Sequence, residues 1–196
     1  MDENIYQPPK AEVSTDNVGD TSSAEFYIVS RKKFLILYIM TLGLYSLYWF
    51  YKNWARYRDR HGVSIWPVPR AIFSIFFTHS LFRNVQSTLD EKGSTYRWAH
   101  SAMATLYVVT AILSHILDRM AMREIGSPIT DFLSLGMLFL TTYALYQGQL
   151  AINVACEDPD GDSNSVITGA NIAWIIFGAL LWALVLVGIA VMLFDL

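Results

Sequence analysis

The side chains able to act on a ligand fall into four groups. The first is histidine: His61, His79, His100 and His115. None sits in an HExxH helix or at another metal-ligand spacing, and no P-loop, GxGxxG or nameable serine, histidine and acid set is present. The expectation is a protein that is not an enzyme, with no catalytic residue, no metal and no other cofactor. The second group is an acidic loop in which Asp158, Asp160, Asp162 and Asn164 alternate as at the start of a calcium loop. Gly161 comes too early for that loop and no bidentate Glu follows at the required distance, so the stretch reads as a solvated acidic turn. Its charge has a candidate partner inside the chain, the basic row of Lys52, Arg56 and Arg60, which recur at four-residue helical spacing.

That row is the third group. With Trp49 and Trp54 it forms a candidate contact for anionic lipid headgroups, because indole rings concentrate at headgroup level and each base near an anionic surface contributes about 1 kcal/mol. A plain positive-inside anchor is the simpler version of the same reading. The fourth group is the amides Gln147, Asn153 and Asn171, accompanied by Gln149, Tyr143 and Tyr146. Amides among apolar residues either hydrogen-bond between helices, meet the headgroup boundary or line a polar pathway. Cys156 is the only cysteine, so an intramolecular disulfide, a thiolate metal cluster and a CxxC redox pair are all excluded.

The elements that would position these groups are membrane elements. Hydrophobic residues make up 54% of the chain and charged ones 16%, against roughly 25% charged in soluble domains, and the mean hydropathy is +0.34. Apolar residues also gather in uncharged runs of bilayer length. Residues 1–30 hold one base and six acids, residues 31–97 eleven bases and three acids, and residues 98–196 two bases and eight acids. The middle zone is therefore expected on the cytoplasmic side.

Taken in order, residues 1–25 read as a disordered polar tail. Residues 26–30 are a short β-compatible or irregular lead-in to a basic membrane-interface region, 26–97. Its hydrophobic stretch, 34–51, is just long enough to cross a bilayer, yet basic clusters flank both ends, Arg31, Lys32 and Lys33 before it and Lys52, Arg56, Arg58 and Arg60 after it. A simple crossing would expose one cluster on the wrong side, so a re-entrant or broken helix bending near Gly43 is expected. An interfacial amphipathic helix follows at 70–91, with Leu81, Phe82, Val85 and Leu89 on one arc and His79, Arg83, Gln86 and Asp90 on the other. Three transmembrane helices complete an all-α integral membrane fold, at about 98–117, 132–150 and 171–194. On the last, Gly178 is suited to a close helix approach, with Trp174 and Trp182 on the same face.

The stretch TLGLYSLYWFYKNW, with PRAIFSIFF downstream, resembles a group of bacterial inner-membrane proteins with a domain of unknown function and a Leu-Gly-[Ile/Leu]-Tyr-x-x-Tyr-Trp motif. The matching positions here are Leu42, Gly43, Leu44, Tyr45, Tyr48 and Trp49. The tail ENIYQPPKAEV is similar to the Asn-Pro-Tyr-x-x-Pro-x-Ala tails of small bacterial membrane proteins, with Ile5 in place of the proline. The resemblance implies a multi-pass protein of the bacterial inner membrane and carries no activity with it.

The leading expectation is a non-enzymatic membrane scaffold or accessory subunit. Its partners would be membrane lipids and either further copies of itself or another membrane protein, with no role for nucleic acid. An oligomeric transporter or channel component would use Gln147, Asn153 and Asn171, and an enzyme acting on lipid headgroups would use His79, Arg83 and His100. Region 52–97 is expected to be cytoplasmic and the C-terminus periplasmic. The tail is inside if 34–51 turns back and outside if it crosses.

Overall fold

The computed structural model describes residues 24–194. The expected polar tail, 1–25, lies outside the described residues apart from Ala24 and Glu25. The described residues form seven α-helices and no strand: α1 Arg31–Met40, α2 Tyr45–His61, α3 Pro67–Ile72, α4 Ser74–Glu91, α5 His100–Ala121, α6 Ile129–Ala155 and α7 Gly169–Phe194. Three of them, α5, α6 and α7, are long and apolar enough to cross a membrane.

The 34–51 stretch is broken where a bend was expected. Leu42 and Gly43 take positive φ values of 50° and 84°, a left-handed conformation that glycine adopts without strain. The Gly43 N–H returns to the Tyr38 carbonyl at 2.9 Å, closing the end of α1 as a Schellman-type cap. The buried Thr41 hydroxyl bridges the two helices, donating to the Leu37 carbonyl at 2.7 Å and accepting from the Tyr45 N–H at 3.0 Å. Downstream, one helix was expected over 70–91, and the chain forms two, α3 and α4, meeting at Phe73. The α4 side of this junction is held by the Ser74 hydroxyl, which lies 2.9 Å from the Tyr107 hydroxyl of α5.

Helices α5 and α6 make the most extensive pairing, α4 packs on both, and α1 packs on α6. Phe82 of α4 covers Gly148 of α6, where an added Cβ would stand 2.5 Å from the ring. Helix α7 lies against α1: Gly178 meets the α1 end so closely that a Cβ there would fall 2.1 Å from the Met40 carbonyl oxygen, and Trp182 Nε1 donates to the Ile39 carbonyl at 2.9 Å. The aromatic core gathers between α1, α2 and α6, where Phe34 packs against Tyr38, Tyr45, Trp49 and Tyr146. Ring pairs of this kind contribute about 0.5–1.5 kcal/mol beyond the area they bury.

Candidate functional site

The most elaborate polar arrangement surrounds residues 26–30. This segment runs without helix or strand and all five residues are buried. Its backbone has no neighbouring strand to pair with, and a buried N–H or C=O left alone is costly, so side chains must supply the partners. Two helices do so with amides spaced to share a face. On α6, Asn153 donates Nδ2 to the Val29 carbonyl at 3.0 Å, and its Oδ1 accepts the Val29 N–H at 3.4 Å. Gln149, one turn earlier, donates Nε2 to the Tyr27 carbonyl at 3.2 Å and to Asn153 Oδ1 at 2.6 Å. On α2, Asn53 accepts the Tyr27 N–H at 3.0 Å and anchors itself by donating to the Trp49 carbonyl at 2.9 Å. Trp49 Nε1 closes the circuit by donating to Gln149 Oε1. Trp49, Asn53, Gln149 and Asn153 are all wholly buried.

The rest of the cradle comes from the loop after α6. Asn164 donates to the Ile28 carbonyl at 2.8 Å and offers its own carbonyl to the Ser30 N–H at 3.4 Å. Gly161, with φ at 71°, passes so near the segment that a Cβ would stand 2.6 Å from the Val29 carbonyl carbon. The loop is kept in shape by Asp158, whose two carboxylate oxygens accept the Asp162 and Ser163 N–H groups at 3.0 Å each. Burial pushes the Asp158 carboxyl up, but hydrogen bonds from Ser163, Asp162 and Gly161 outweigh it and hold the group below its ordinary value. The Lys33 ammonium reaches back to Asn164 Oδ1 and the Val166 carbonyl, both at 2.7 Å.

The acidic loop does meet bases of the same chain, though different ones from those expected. Asp160 pairs with Arg31 at 3.0 Å and Glu157 with Lys92 at 2.7 Å. The hydrogen bond and charge of Lys92 keep Glu157 below its ordinary value. Arg56 instead donates to the Phe26 carbonyl at 3.1 Å. At the head of the segment, Glu25 accepts from the Thr88 hydroxyl at 2.8 Å and lies 2.7 Å from His61 Nε2. Burial is also the leading reason that the Cys156 thiol is pushed up to about 11.

Of the expected headgroup contacts, Trp49 and Trp54 are corrected: both rings are wholly enclosed by protein. Trp49 is an element of the cradle, and Trp54 lies under the Arg70 guanidinium, 4.3 Å from its ring centroid, with its edge toward Phe77. The rings that remain open around them are Tyr48, Tyr51, Trp66, Phe73 and Phe76. Lys52 is half-buried with its ammonium 5.9 Å from the Tyr27 ring centroid, and Arg60 is exposed. The three expected amides separate. Asn153 is central to the cradle, Gln147 lies off its face and half-buried, and Asn171 caps the start of α7 by accepting from the Thr168 N–H and hydroxyl at 3.0 Å each. Of the residues that lipid-headgroup chemistry would use, His79 lies 3.1 Å from the Thr105 hydroxyl, Arg83 is exposed, and His100 sits against Trp98.

Sequence reasoning passed over Asn53, placed Asn164 only in the acidic loop and read 26–30 only as a lead-in. The signal was present as one amide–indole pair and one amide pair at four-residue spacing, Trp49 with Asn53 and Gln149 with Asn153, together with the apolar run Phe26, Tyr27, Ile28 and Val29 before a basic cluster. Chemically the cradle binds an extended peptide backbone, and the occupant is its own chain. Amides neither take nor release protons near neutral pH, so this arrangement holds rather than catalyses. No protein-family model, curated protein or solved structure matches the chain.

Proposed function

We propose that this chain is a small multi-pass protein of the bacterial inner membrane, working as a non-enzymatic scaffold or accessory subunit. In this reading α1 and α2 form a re-entrant hairpin that enters and leaves on the cytoplasmic side. One observation carries it. Both arms of the hairpin are tied to the same end of α6, through Val29 to Asn153 and through Trp49 to Gln149, while the turn between them lies against Leu138. At 1.5 Å per residue Leu138 is about 25 Å along α6 from Ala155, so the turn lies most of the way along that helix and the chain returns from it. An element of this depth is tolerated in a bilayer where its irregular backbone is covered by protein, and here Thr41 is buried against α7 while Gly43 lies against Tyr38 and Leu138.

The same reading keeps Arg31, Lys32, Lys33, Lys52, Arg56 and Arg60 on one side, as charge asymmetry requires. Exposed Tyr48, Tyr51 and Trp66 then take the headgroup role first given to Trp49 and Trp54, with Lys52 and Arg60 toward anionic lipid. Of the amides expected to line a transport pathway, Asn153 spends its donor on the Val29 carbonyl and Asn171 caps the start of α7. That favours a structural role over a transporter. The topology is tested with a cysteine at Ser14 and an impermeant maleimide. Labelling is expected only after cells are opened, whereas ready labelling of intact cells overturns the hairpin. Cys156, whose thiol is pushed up to about 11, gives little background because the reactive thiolate is scarce at neutral pH.

A further inference from the structure

Beneath the turns at Gly43 and Phe73 lies a cleft of about 1570 Å³, bounded by the halves of α5, α6 and α7 that lie away from the cradle. It exceeds the roughly 300–1,000 Å³ of an ordinary small-molecule pocket. Its walls are mainly apolar, including Leu135 and Leu138 of α6 and Val185 and Ile189 of α7, with the hydroxyls of Ser46, Ser114 and Thr141 among them. Its far end is not. Asp118, Glu124 and Asp131 line it, with His115 beside them, and no lysine or arginine does. Asp118 accepts from the Ser134 hydroxyl, but the Asp131 Oδ2 is buried with no hydrogen-bond partner. A carboxylate oxygen in that position is costly until a donor reaches it.

We infer that this cleft binds a single-headed cationic amphiphile, an alkyl chain carrying an ammonium group. The apolar walls take the chain and the carboxylates at Asp118 and Asp131 take the head. Three features select this class. The excess of carboxylates complements a positive head, and their partner must be a donor. Among the described residues no three His, Cys, Asp or Glu side chains converge on a metal-sized point, so the carboxylates suit an organic head rather than a bare ion. With no lysine or arginine in the lining, a phosphate next to the ammonium would have nothing to neutralise it. The cleft therefore discriminates against zwitterionic phospholipids. This inference rests on α5, α6 and α7 being membrane spans, and goes beyond the scaffold reading by giving the fold a ligand.

The test uses the purified full chain in nanodiscs and a hexadecylammonium probe with a photoreactive group near the chain end. Matched probes carry an alcohol or a carboxylate head, and labelled peptides are mapped by mass spectrometry. Labelling is expected on the cleft-facing parts of α6 and α7, with the ammonium preferred over the alcohol by about tenfold, as one charge-assisted bond in a dry site gives. Asp131→Asn combined with Asp118→Asn should bring that preference to about onefold while chain labelling persists. Gly188→Phe should abolish labelling, since Gly188 lines the cleft and a Cβ there meets nothing within 4 Å. Excess phosphatidylethanolamine should not compete. Equal labelling by all three heads, labelling that survives Gly188→Phe, or effective competition by phosphatidylethanolamine would each overturn the proposal. Failure of the membrane reading appears separately, as release of the chain from membranes by alkaline carbonate.

Discussion

The cradle and α7 hold their places by opposite means. Around residues 26–30 a wholly buried network spends side-chain amides on backbone groups, and losing any member strands its partners. Helix α7 has almost no buried surface, with Leu180, Leu184 and Val187 each 60% or more exposed. It is seated by a glycine notch and an indole hydrogen bond on the end of α1, with the Ser127 hydroxyl donating to the Met192 sulfur at its far end. In water such a helix would be driven against its neighbours. In lipid, apolar surface gains nothing from being covered, so close packing at small residues and isolated hydrogen bonds are what remain. The difference teaches that the first part of the chain is built as a soluble core would be, and the last as a guest of the bilayer.

Asn153→Leu should give the largest effect. It strands the Val29 N–H and carbonyl and removes a Gln149 partner, costing about 3 kcal/mol or more by thermal or denaturant unfolding in detergent. Gln147→Leu, off the same face, should stay within about 0.5 kcal/mol, and equal losses would erase the distinction between a network and a merely polar helix. Gly161→Ala should come next, at about 1–3 kcal/mol, because a Cβ meets the Val29 backbone at 2.6 Å and φ is 71°. A silent Gly161→Ala would mean that the loop does not press on the segment. For α7 the expected number is smaller: Trp182→Phe removes the bond to Ile39 and should cost about 0.6 kcal/mol, the average for interhelical bonds in membranes. A loss as large as that of Asn153→Leu would make the two regions alike.

Acid should act on the cradle side alone and least. Asp158 and Glu157 are held below their ordinary values of 3.8 and 4.5. Their contribution is complete above those values and is lost as pH falls through the lower values of the folded state. Protease nicking of the 157–166 loop should therefore begin below about pH 4 without disturbing α7.

The three long helices were legible because bilayer length is a local property of sequence. The first two run over His100–Ala121 rather than 98–117 and over Ile129–Ala155 rather than 132–150, each continuing past the apolar core at its C-terminal end. The break at residues 41–44 was legible too, from Gly43 and from the bases at both flanks. The break at Phe73 was not, because neither glycine nor proline marks it and its anchor, Tyr107, lies on another helix. Trp49 and Trp54 misled for a related reason. Their types and spacing are those of an interface belt, and only distant partners, Gln149 and Arg70, decide that the rings turn inward.

The 26–30 segment also has a place in time. Its partners Asn153 and Asn164 are 124 and 136 residues downstream of the groups they bind. At roughly 5–20 residues per second, synthesis leaves those backbone groups waiting on the order of ten seconds. During that interval the segment is held from α2, through Asn53 on the Tyr27 N–H and Arg56 on the Phe26 carbonyl, and the cradle closes when the loop after α6 has been delivered. On the proposed re-entrant reading, the flanking charges set the orientation of the hairpin during synthesis, and the amides of α6 and its following loop fix it afterwards.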